Sequence, residues 1–398
     1  MIVARSITQR KRLNSKSTSL YSRLGRKQRI VSAQHCANKP EKEGFFLLLL
    51  MNKKQAATIK EVAERAQVSQ MTVSRVLNDQ SSVKETTRKR VQEAMRALNY
   101  RPNIMARNLA GRAGLFIGLI YRNPSYGYLS EFLLGALDTC RQLGHYLIVE
   151  EPLVDDNMVD FEQMEKRFLD MSIQALIVVP PLSDDPKLID TLERTGISFV
   201  CVSPKLNGYT GPSVRMNDRD AARDMTQHLL DLGHKKIGLI KGPPDHRSSE
   251  LRYAGYSDAL AAGGLTVDEK RVVSGDFTYV SGIQSAKTLI DSGDAPTAIF
   301  ATNDDMASGA IAAAHQAGLR VPEDLSVVGF DDTANASAMW PALTTVRQPI
   351  REMANSAIKL LAQSVAQSRA LLPIEVQKLT LDYELMIRDS AGPPKQSD

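Results

Sequence analysis

Two pairs of aspartates in the second half of the chain each follow an apolar run of the kind that forms a buried strand. They are Asp304 with Asp305, and Asp331 with Asp332. Because ligands bind beyond the carboxyl ends of parallel strands, these side chains are candidates for a site. A carboxylate cluster could hold a metal ion or serve as acid and base, but no HExxH, GxSxG, GxxxxGKS/T or GxGxxG pattern accompanies it. The residues therefore favour a binding site, and we expect neither an enzyme nor a cofactor.

The histidines and cysteines do not indicate a metal site. His145 and His234 follow glycines at junctions between a helix and a strand, where a structural role is expected. Cys36, Cys140 and Cys201 lie far apart, so neither a disulfide framework nor a CxxC zinc knuckle can be built from them. A reducing compartment is the simplest interpretation of this cysteine usage.

A second candidate site lies near residue 58, where short helices are predicted. Thr58 and Glu61 have the spacing of a capping box, and Ser69 is a good N-cap for a helix over Gln70–Asn78. A third helix is predicted over Glu85–Leu98. Two short helices joined by a tight turn on a basic segment indicate a helix-turn-helix that binds DNA.

In a helix-turn-helix, the second helix presents its first residues to base edges in the major groove. Here those residues are Gln70 and Met71, with Arg75 one turn further. Glutamine can read adenine, arginine can read guanine, and methionine can contact a thymine methyl group. A polar helix face that is merely solvated is the alternative for any one of them. The small or basic polar residues that complete the predicted DNA-binding set, several of them suited to phosphates, are Thr58, Ser69, Thr72, Ser74, Asn78, Thr87 and Arg88.

The charge of the chain is unevenly distributed. Residues 1–112 carry 24 lysines and arginines against 7 acidic residues, whereas residues 113–398 carry 26 against 38. A basic front on an acidic body is typical of a nucleic-acid-binding segment attached to a domain with another task. The longest uncharged apolar run, Phe45–Met51, is too short for a membrane helix. We therefore expect a cytoplasmic protein with no membrane partner.

Residues 1–50 show no sustained helix or strand period and are rich in serine, arginine and lysine. A basic arm that adds non-specific DNA affinity and an organellar transit peptide are two interpretations. The simplest one is that translation starts at Met51, directly before the first motif. A secretory signal is not expected, because the apolar stretch lies too late and lacks a small-residue cleavage pattern.

Beyond residue 114 the pattern changes to apolar runs that alternate with amphipathic helices. The helices repeatedly end in glycine followed by a strand, as at Gly144, Gly196, Gly233 and Gly318. Strand, helix, glycine and strand in repetition predicts a parallel sheet that is covered on both faces. Because about 270 residues of this pattern are too many for one small sheet, we expect two doubly wound subdomains.

Several stretches resemble the lactose-repressor/galactose-repressor family of bacterial transcriptional regulators. They are Thr58–Ala63, Val68–Asn78, Leu98–Asn103, Ala106–Leu109, Asp304–Ala307, Val327–Asp332 and Leu343–Val346. The resemblance covers residues 58 to about 390. It implies an all-α helix-turn-helix head and an α/β body of periplasmic-binding-protein type. It also implies a homodimer or higher oligomer, a palindromic double-stranded DNA operator, and a small-molecule effector.

The resemblance assigns further residues to a hinge and to an effector pocket. Asn103, Ala106 and Leu109 belong to the hinge, a segment too short to be helical alone that orders on DNA, with Leu109 as a wedge in the minor groove. Effector contacts are implied for Tyr126, Tyr128, Arg252, Phe277, Asn303, Asp331 and Gln348. Such polar groups around an aromatic ring suit a sugar, and a repressor of carbohydrate uptake or catabolism genes is expected. The alternatives are a nucleobase or nucleoside effector and, outside the regulators, a sugar-binding receptor or a sugar-processing enzyme.

Three positions depart from the family pattern. Gln67 stands where glycine is common in the turn, so it must adopt a positive φ at some cost. Lys84 replaces a serine cap before the third helix. The stretch Cys201-Val202-Ser203 lacks the pocket aspartate of the lactose repressor, which argues against a lactose-type effector.

The predicted domain boundaries follow from these segments. We expect an N-terminal extension over residues 1–57 and a DNA-binding domain over 58–102. A hinge with its linker follows over 103–112, then an effector-binding and dimerisation domain over 113–390 and a tail over 391–398. The two subdomains of the effector domain are predicted over 115–213 with 347–373, and over 214–346 with 374–390.

Overall fold

The structure is a computed structural model of the 398-residue chain, and it describes residues 57–77, 83–100, 114–152, 154–155, 158–205, 209–373 and 375–395. The chain divides into two units between Pro102 and Asn103. The described part of the first unit is helical. The second unit contains two large sheets with helices between their strands.

Three helices form the described part of the first unit: α1 (Ile59–Ala66), α2 (Gln70–Leu77) and α3 (Glu85–Ala97). Each helix contributes a fully buried valine to a shared apolar cluster, and these valines are Val62, Val73 and Val91. The three helices are therefore fixed against one another by one small core.

The ends of these helices confirm the local sequence predictions. The Thr58 hydroxyl accepts the Glu61 N–H at 3.3 Å, and the Glu61 carboxylate accepts the Thr58 N–H at 2.6 Å, so the capping box is complete. Gln67 adopts the left-handed conformation with φ of +51°, as expected for a position where glycine is common. Lys84 makes no side-chain hydrogen bond to the start of α3.

The second unit contains two six-stranded sheets and a two-stranded hairpin. The strands are β1 (Phe116–Ile120), β2 (Tyr146–Glu150), β3 (Val154–Asp155), β4 (Met158–Val159), β5 (Ala175–Val178), β6 (Ser198–Val202), β7 (Ser213–Met216), β8 (Ile237–Lys241), β9 (Val272–Ser274), β10 (Ala298–Ala301), β11 (Ser326–Asp331), β12 (Thr344–Arg347), β13 (Lys378–Leu381) and β14 (Glu384–Met386). The first sheet has the order β13-β7-β6-β5-β1-β2 and is parallel throughout. The second sheet has the order β14-β12-β11-β10-β8-β9, and within it only β14 runs antiparallel to its neighbour.

Helices cover both faces of each sheet. They are α4 (Tyr126–Leu143), α5 (Phe161–Asp170), α6 (Pro186–Thr195), α7 (Asp218–Asp231), α8 (Arg247–Ala262), α9 (Tyr279–Ile290), α10 (Asp304–Gln316), α11 (Ala334–Ala338) and α12 (Ile350–Arg369). On the first sheet, α4 and α12 pack on one face and α5 and α6 on the other; on the second, α9 and α10 oppose α7 and α8. Two doubly wound subdomains are thereby confirmed. None of the described helices is long and apolar enough to cross a membrane.

The segments of the two subdomains differ from the predicted boundaries. Strand β7 extends to Met216 in the first sheet, and β13 also pairs there, whereas the sequence predicts residues 214–216 and 378–381 to lie in the second subdomain. The predicted tail is also packed, because the Gly392 carbonyl lies 2.8 Å from His234 Nε2. β7 is short and carries Arg215, and β13 is an edge strand with alternating polar residues, so neither shows the continuous apolar run that marks a central strand.

Candidate DNA-binding face and effector pocket

Helix α2 turns its apolar side inward and its polar side to solvent. Val73 and Val76 are buried in the three-helix core, whereas Gln70, Met71 and Arg75 are exposed. Met71 leaves 65% of its surface to solvent. An exposed apolar side chain beside a glutamine and an arginine has the composition of a surface that reads bases.

The start of α2 is fixed by two hydroxyl groups. Ser69 Oγ accepts the Thr72 N–H at 3.1 Å and lies 2.9 Å from Thr72 Oγ1. The cap fixes the first turn of α2, where the leading backbone N–H groups of a helix have no partner within the helix. Such N–H groups, with the positive end of the helix dipole, bind phosphate oxygens.

The other predicted phosphate contacts differ in exposure. Thr58 is exposed at the start of α1, whereas Ser74 and Thr87 are half-buried. Arg88 is also half-buried, with its Nε 3.8 Å from Glu85 Oε2. The remaining predicted DNA contacts lie outside the described residues; they are Asn78, Asn103, Ala106 and Leu109.

A narrow cavity, with about 30 Å³ of space for the centre of a water molecule, lies between the two subdomains of the second unit, beyond the carboxyl ends of several strands. Six of the seven predicted effector residues line it: Tyr128, Arg252, Phe277, Asn303, Asp331 and Gln348. Sequence reasoning did not select the other lining residues, which are Asn123, Ser125, Pro180, Ser203, Asp218, His246 and Ser248. Parallel strands thus deliver polar side chains from distant parts of the chain to one edge, as doubly wound folds do.

The Arg252 guanidinium is buried and held on three sides. Its Nε and Nη2 both lie 2.9 Å from Asp218 Oδ1, and its Nη1 donates to the Thr302 carbonyl at 2.6 Å. The guanidinium carbon also lies 3.7 Å from the centre of the Phe330 ring. These contacts fix its plane and leave fewer of its five N–H groups for a ligand.

Asp331 and Gln348 form a hydrogen-bonded pair in the cavity wall. Gln348 Nε2 donates to Asp331 Oδ1 at 2.5 Å, and both side chains are buried. Burial raises the pKa of the Asp331 carboxyl well above its usual value, although the nearby Arg252 charge acts in the opposite direction. Asp331 also has φ of +131°, an unusual backbone conformation of the kind that marks functional sites.

Asn303 and Phe277 are coupled to each other. The Asn303 amide oxygen accepts the Met306 N–H at the start of α10, and its amide nitrogen donates to the Phe277 carbonyl, both at 3.0 Å. The Asn303 amide therefore caps a helix and holds the Phe277 backbone. Phe277 has φ of +67°, and its ring is buried in the cavity wall.

His246 is a buried polar group that the sequence analysis did not select. Its ring packs edge-on against Phe277 at 5.1 Å between centres. His246 Nδ1 lies 3.1 Å from Asp245 Oδ1, whereas the buried Nε2 has no hydrogen-bond partner among the described residues. Burial lowers the pKa of His246, so the ring is neutral near pH 7.

The two predicted tyrosines lie in different places. Tyr128 lines the cavity and is 8% exposed, and burial raises the pKa of its hydroxyl. Tyr126 is 81% exposed and borders a neighbouring, more open cavity instead. The prediction that both form one wall of the effector site therefore does not match the structure, because residues two apart on a helix point to opposite sides.

The other aspartates of the sequence cluster have structural partners. Asp304 accepts the Thr345 hydroxyl at 2.6 Å and the Thr333 N–H at 2.8 Å, and burial raises its pKa to about 7. Asp332 pairs with Arg347 and Arg388. Among the residues that the structure describes, no group of histidine, cysteine or acidic side chains has the arrangement of a metal site.

The two histidines at the helix–strand junctions have structural contacts, as expected. The Leu115 N–H donates to His145 Nδ1 at 3.2 Å. His234 contacts the Thr297 hydroxyl and the Gly392 carbonyl, each at 2.8 Å. Both rings thus connect backbone segments within the second unit.

Comparison with protein-family models assigns both units. Residues 58–103 match the model of bacterial regulatory proteins of the lacI family, and residues 226–391 match the periplasmic binding protein-like domain. A relative from Escherichia coli (strain K12), the HTH-type transcriptional regulator AscG, is 34% identical over 74% of this chain and 88% of that protein. The chain belongs to the lacI family. It is therefore a DNA-binding transcriptional regulator, and its relatives are regulators rather than enzymes.

Solved structures of lacI-family proteins have the same architecture. One is the lac repressor dimer bound to operator and the anti-inducer ONPF. The alignment with it covers 85% of this chain and all of the repressor chain, with 32% identity and a TM-score of 0.72. Another is a complex of the transcriptional regulator CelR with cellobiose. The alignment with it covers 84% of this chain and 99% of the CelR chain, with 28% identity and a TM-score of 0.64. Members of the family thus bind DNA and small effectors, and the lac repressor does so as a dimer.

Proposed function

We propose that this lacI-family regulator represses genes of carbohydrate uptake or catabolism and that a small sugar in the inter-subdomain cavity controls it. The observation that supports this best is the composition of the cavity wall, which combines the Arg252 guanidinium, the Asp331 carboxylate and the Gln348 amide with the buried Phe277 ring. Sugar hydroxyls both donate and accept hydrogen bonds, and the apolar face of a sugar ring packs on an aromatic side chain. The cellobiose complex of CelR is an example of this ligand class in the same fold.

For the DNA side, we propose a homodimer that inserts two copies of α2 into the major grooves of a palindromic operator. Gln70, Met71 and Arg75 then contact base edges, because they are the exposed residues of the first turns. Asn103, Ala106 and Leu109 form the hinge, with Leu109 in the minor groove. The lac repressor dimer on its operator supports this arrangement by its similarity in sequence and structure.

A thermal-shift screen of the full chain against neutral sugars, nucleobases and nucleosides tests the effector. A ligand present at 100 times its dissociation constant stabilises the folded protein by about 2.7 kcal/mol. Stabilisation by a sugar that also changes operator affinity supports the proposal. Stabilisation by a nucleobase or nucleoside alone, or turnover of the sugar, contradicts it.

Two tyrosine variants provide a matched control for the location of the site. Tyr128→Phe removes a hydroxyl from the cavity wall, whereas Tyr126→Phe removes one from an exposed ring outside it. We expect weaker binding of the identified sugar only in Tyr128→Phe. Equal effects of the two substitutions would argue against this cavity as the effector site.

A further inference from the structure

The electrostatics of the cavity restrict the charge of its ligand. The described lining contains one permanent cation, Arg252, and two carboxylates, Asp218 and Asp331. His246 is neutral near pH 7 because burial lowers its pKa. The wall therefore has no surplus positive charge, whether or not the Asp331 carboxyl is protonated.

The geometry of Arg252 strengthens this restriction. Arginine binds carboxylate or phosphate best through two parallel N–H groups on one edge of the guanidinium. Here Asp218 Oδ1 occupies the edge formed by Nε and Nη2, at 2.9 Å from both nitrogens. On the other side, Nη1 donates to the Thr302 carbonyl. The two N–H groups that remain, one on Nη1 and one on Nη2, can each donate to a ligand hydroxyl, but the charge of the guanidinium is already paired with the Asp218 carboxylate.

Further carboxylates surround the cavity and would repel an anion. Asp304 and Asp305 are close enough to Asp331 to raise its pKa further. The neighbouring open cavity is also acidic, since its described lining contains Arg122 against Glu151, Asp245 and Asp276. A phosphate or carboxylate in the inner cavity would lose its hydration without gaining a matching cation.

We infer that the effector is an uncharged polar molecule, a neutral sugar rather than a sugar phosphate or a sugar acid, and this inference rests on the proposed sugar-controlled function. The hydrogen-bonding groups that remain available suit hydroxyls. Asp331 Oδ2 has no hydrogen-bond donor among the described residues, and the buried His246 Nε2 has no partner there either. A neutral imidazole and a carboxylate oxygen can each pair with a ligand hydroxyl.

The test is isothermal titration of the full chain with matched pairs of neutral and anionic probes. The pairs are ribose with ribose 5-phosphate, glucose with glucose 6-phosphate and with glucuronate, cellobiose with cellobionate, and adenosine with adenosine 5′-monophosphate. We expect one neutral sugar to bind at least about tenfold more tightly than its anionic counterpart, a factor that corresponds to about 1.4 kcal/mol.

The outcomes separate this inference from the proposed function. Tighter binding of a sugar phosphate or sugar acid overturns the charge inference but leaves the sugar-controlled regulator intact. Binding of adenosine without any sugar overturns the sugar function, although preference for adenosine over its monophosphate agrees with the charge inference. Binding of no probe contradicts both.

A charge variant tests the role of the occupied arginine edge. Asp218→Asn removes the carboxylate that holds Arg252, so we expect the preference for the neutral sugar over its anionic counterpart to fall by about tenfold or more. The matched control is Asp258→Asn, because Asp258 pairs with Arg219 between the same two helices, α7 and α8, but on the exposed surface. Operator binding by the ligand-free variants verifies that both are folded. An unchanged preference in a folded Asp218→Asn protein, or the same change in the control, overturns the assignment.

Discussion

The contact between Arg252 and Asp218 shows how one residue pair serves both the fold and the site. Both side chains are buried, and together they bring α7 and α8 to the Thr302 carbonyl at the cavity. Arg252 is both a proposed effector contact and one half of this buried pair. Its removal, however, leaves a buried carboxylate without its partner, and such a loss is strongly destabilising.

We predict that Arg252→Ala lowers the free energy of unfolding by about 3–5 kcal/mol, because it leaves the Asp218 charge buried and unpaired. The matched control is Arg219→Ala, which breaks the exposed pair with Asp258 and should cost at most about 1 kcal/mol. Urea denaturation of both variants measures the difference. Similar losses in the two variants would show that the buried pair contributes no more than the surface pair.

At the DNA-binding face, we predict that Arg75→Ala relaxes sequence preference at one operator position by about 1–3 kcal/mol, as expected if the side chain reads a guanine. Arg96→Ala is the control, since Arg96 is exposed on α3 and bonds to the Gln92 carbonyl of its own helix. Competition binding with operators mutated at single positions measures both. A uniform loss of affinity over all positions in Arg75→Ala would instead identify a phosphate contact.

Single residues also explain which parts of the site could be predicted from the sequence. Strand ends and family motifs placed Asp331, Gln348 and Arg252 correctly in one cavity. His246 and Asp218 were missed, because each lies in or beside a short connection at a helix start, and no pattern shows which way such a side chain points. Tyr126 borders the neighbouring cavity instead, because residues two apart on a helix lie on different faces.

At the scale of elements, the helix-turn-helix depends on a residue in an unfavourable conformation. Gln67 ends α1 with φ of +51° and ψ of +49°, and its backbone N–H bonds to the Ala63 and Glu64 carbonyls. The left-handed region costs a residue with a Cβ atom about 1 kcal/mol, whereas glycine adopts it freely. The turn between α1 and α2 therefore has the geometry that favours glycine, and the Gln67 side chain makes that geometry costlier.

We predict that Gln67→Gly raises the free energy of unfolding of the DNA-binding unit by up to about 1 kcal/mol, because glycine adopts this conformation without strain. The gain is a net value, since the greater entropy of glycine in the unfolded chain acts in the opposite direction. Asn99→Gly is the control, because Asn99 also has a positive φ, of +48°, but asparagine tolerates this region well. Thermal unfolding of the two variants gives the comparison. A loss of stability in Gln67→Gly would show that the glutamine side chain contributes contacts that outweigh its strain.

The elements that were predicted correctly have strong local patterns. Capping at Thr58 and Ser69 placed α1 and α2, and continuous apolar runs placed the central strands such as β5 and β10. The strands β7 and β13 lack such a run, because β7 carries Arg215 within its four residues and β13 alternates exposed and partly buried residues at the edge of the sheet. The order of the strands in the two sheets depends on non-local pairings.

At the scale of the whole molecule, a dimer with two-fold symmetry must meet two inverted half-sites. We predict that selection from random DNA returns an inverted repeat, since each protomer presents the same α2 residues. The salt dependence of binding to the selected site should be steep, because each neutralised phosphate adds about 0.9 to the slope. An asymmetric or purely AT-rich consensus would contradict the proposed dimeric recognition.

The cleft between the subdomains is bridged by hydrogen bonds as well as lined by ligand groups. Ser125 Oγ donates to Asp305 Oδ2 at 2.9 Å, and the Arg247 N–H donates to Asp184 Oδ2 at 3.1 Å. Each bond joins a residue of the first subdomain to one of the second. They therefore hold the two walls of the cavity together, and a ligand that contacts both walls would favour the same arrangement.

We predict that Asp305→Ala shifts the midpoint of the effector dose–response to about fivefold higher concentration, because closure loses one hydrogen bond of about 1 kcal/mol. A ligand changes DNA affinity only through its different affinities for the two states of the cleft, and a tenfold change requires about 1.4 kcal/mol of coupling. The substitution should therefore alter the response to the effector while operator affinity without effector remains close to that of the parent.

Asp170→Ala, at an exposed carboxylate at the end of α5, is the control and should leave the midpoint unchanged. Operator titrations at increasing effector concentration measure both. The same midpoint in Asp305→Ala and the parent would show that this bridge does not contribute to the closed state that the effector selects.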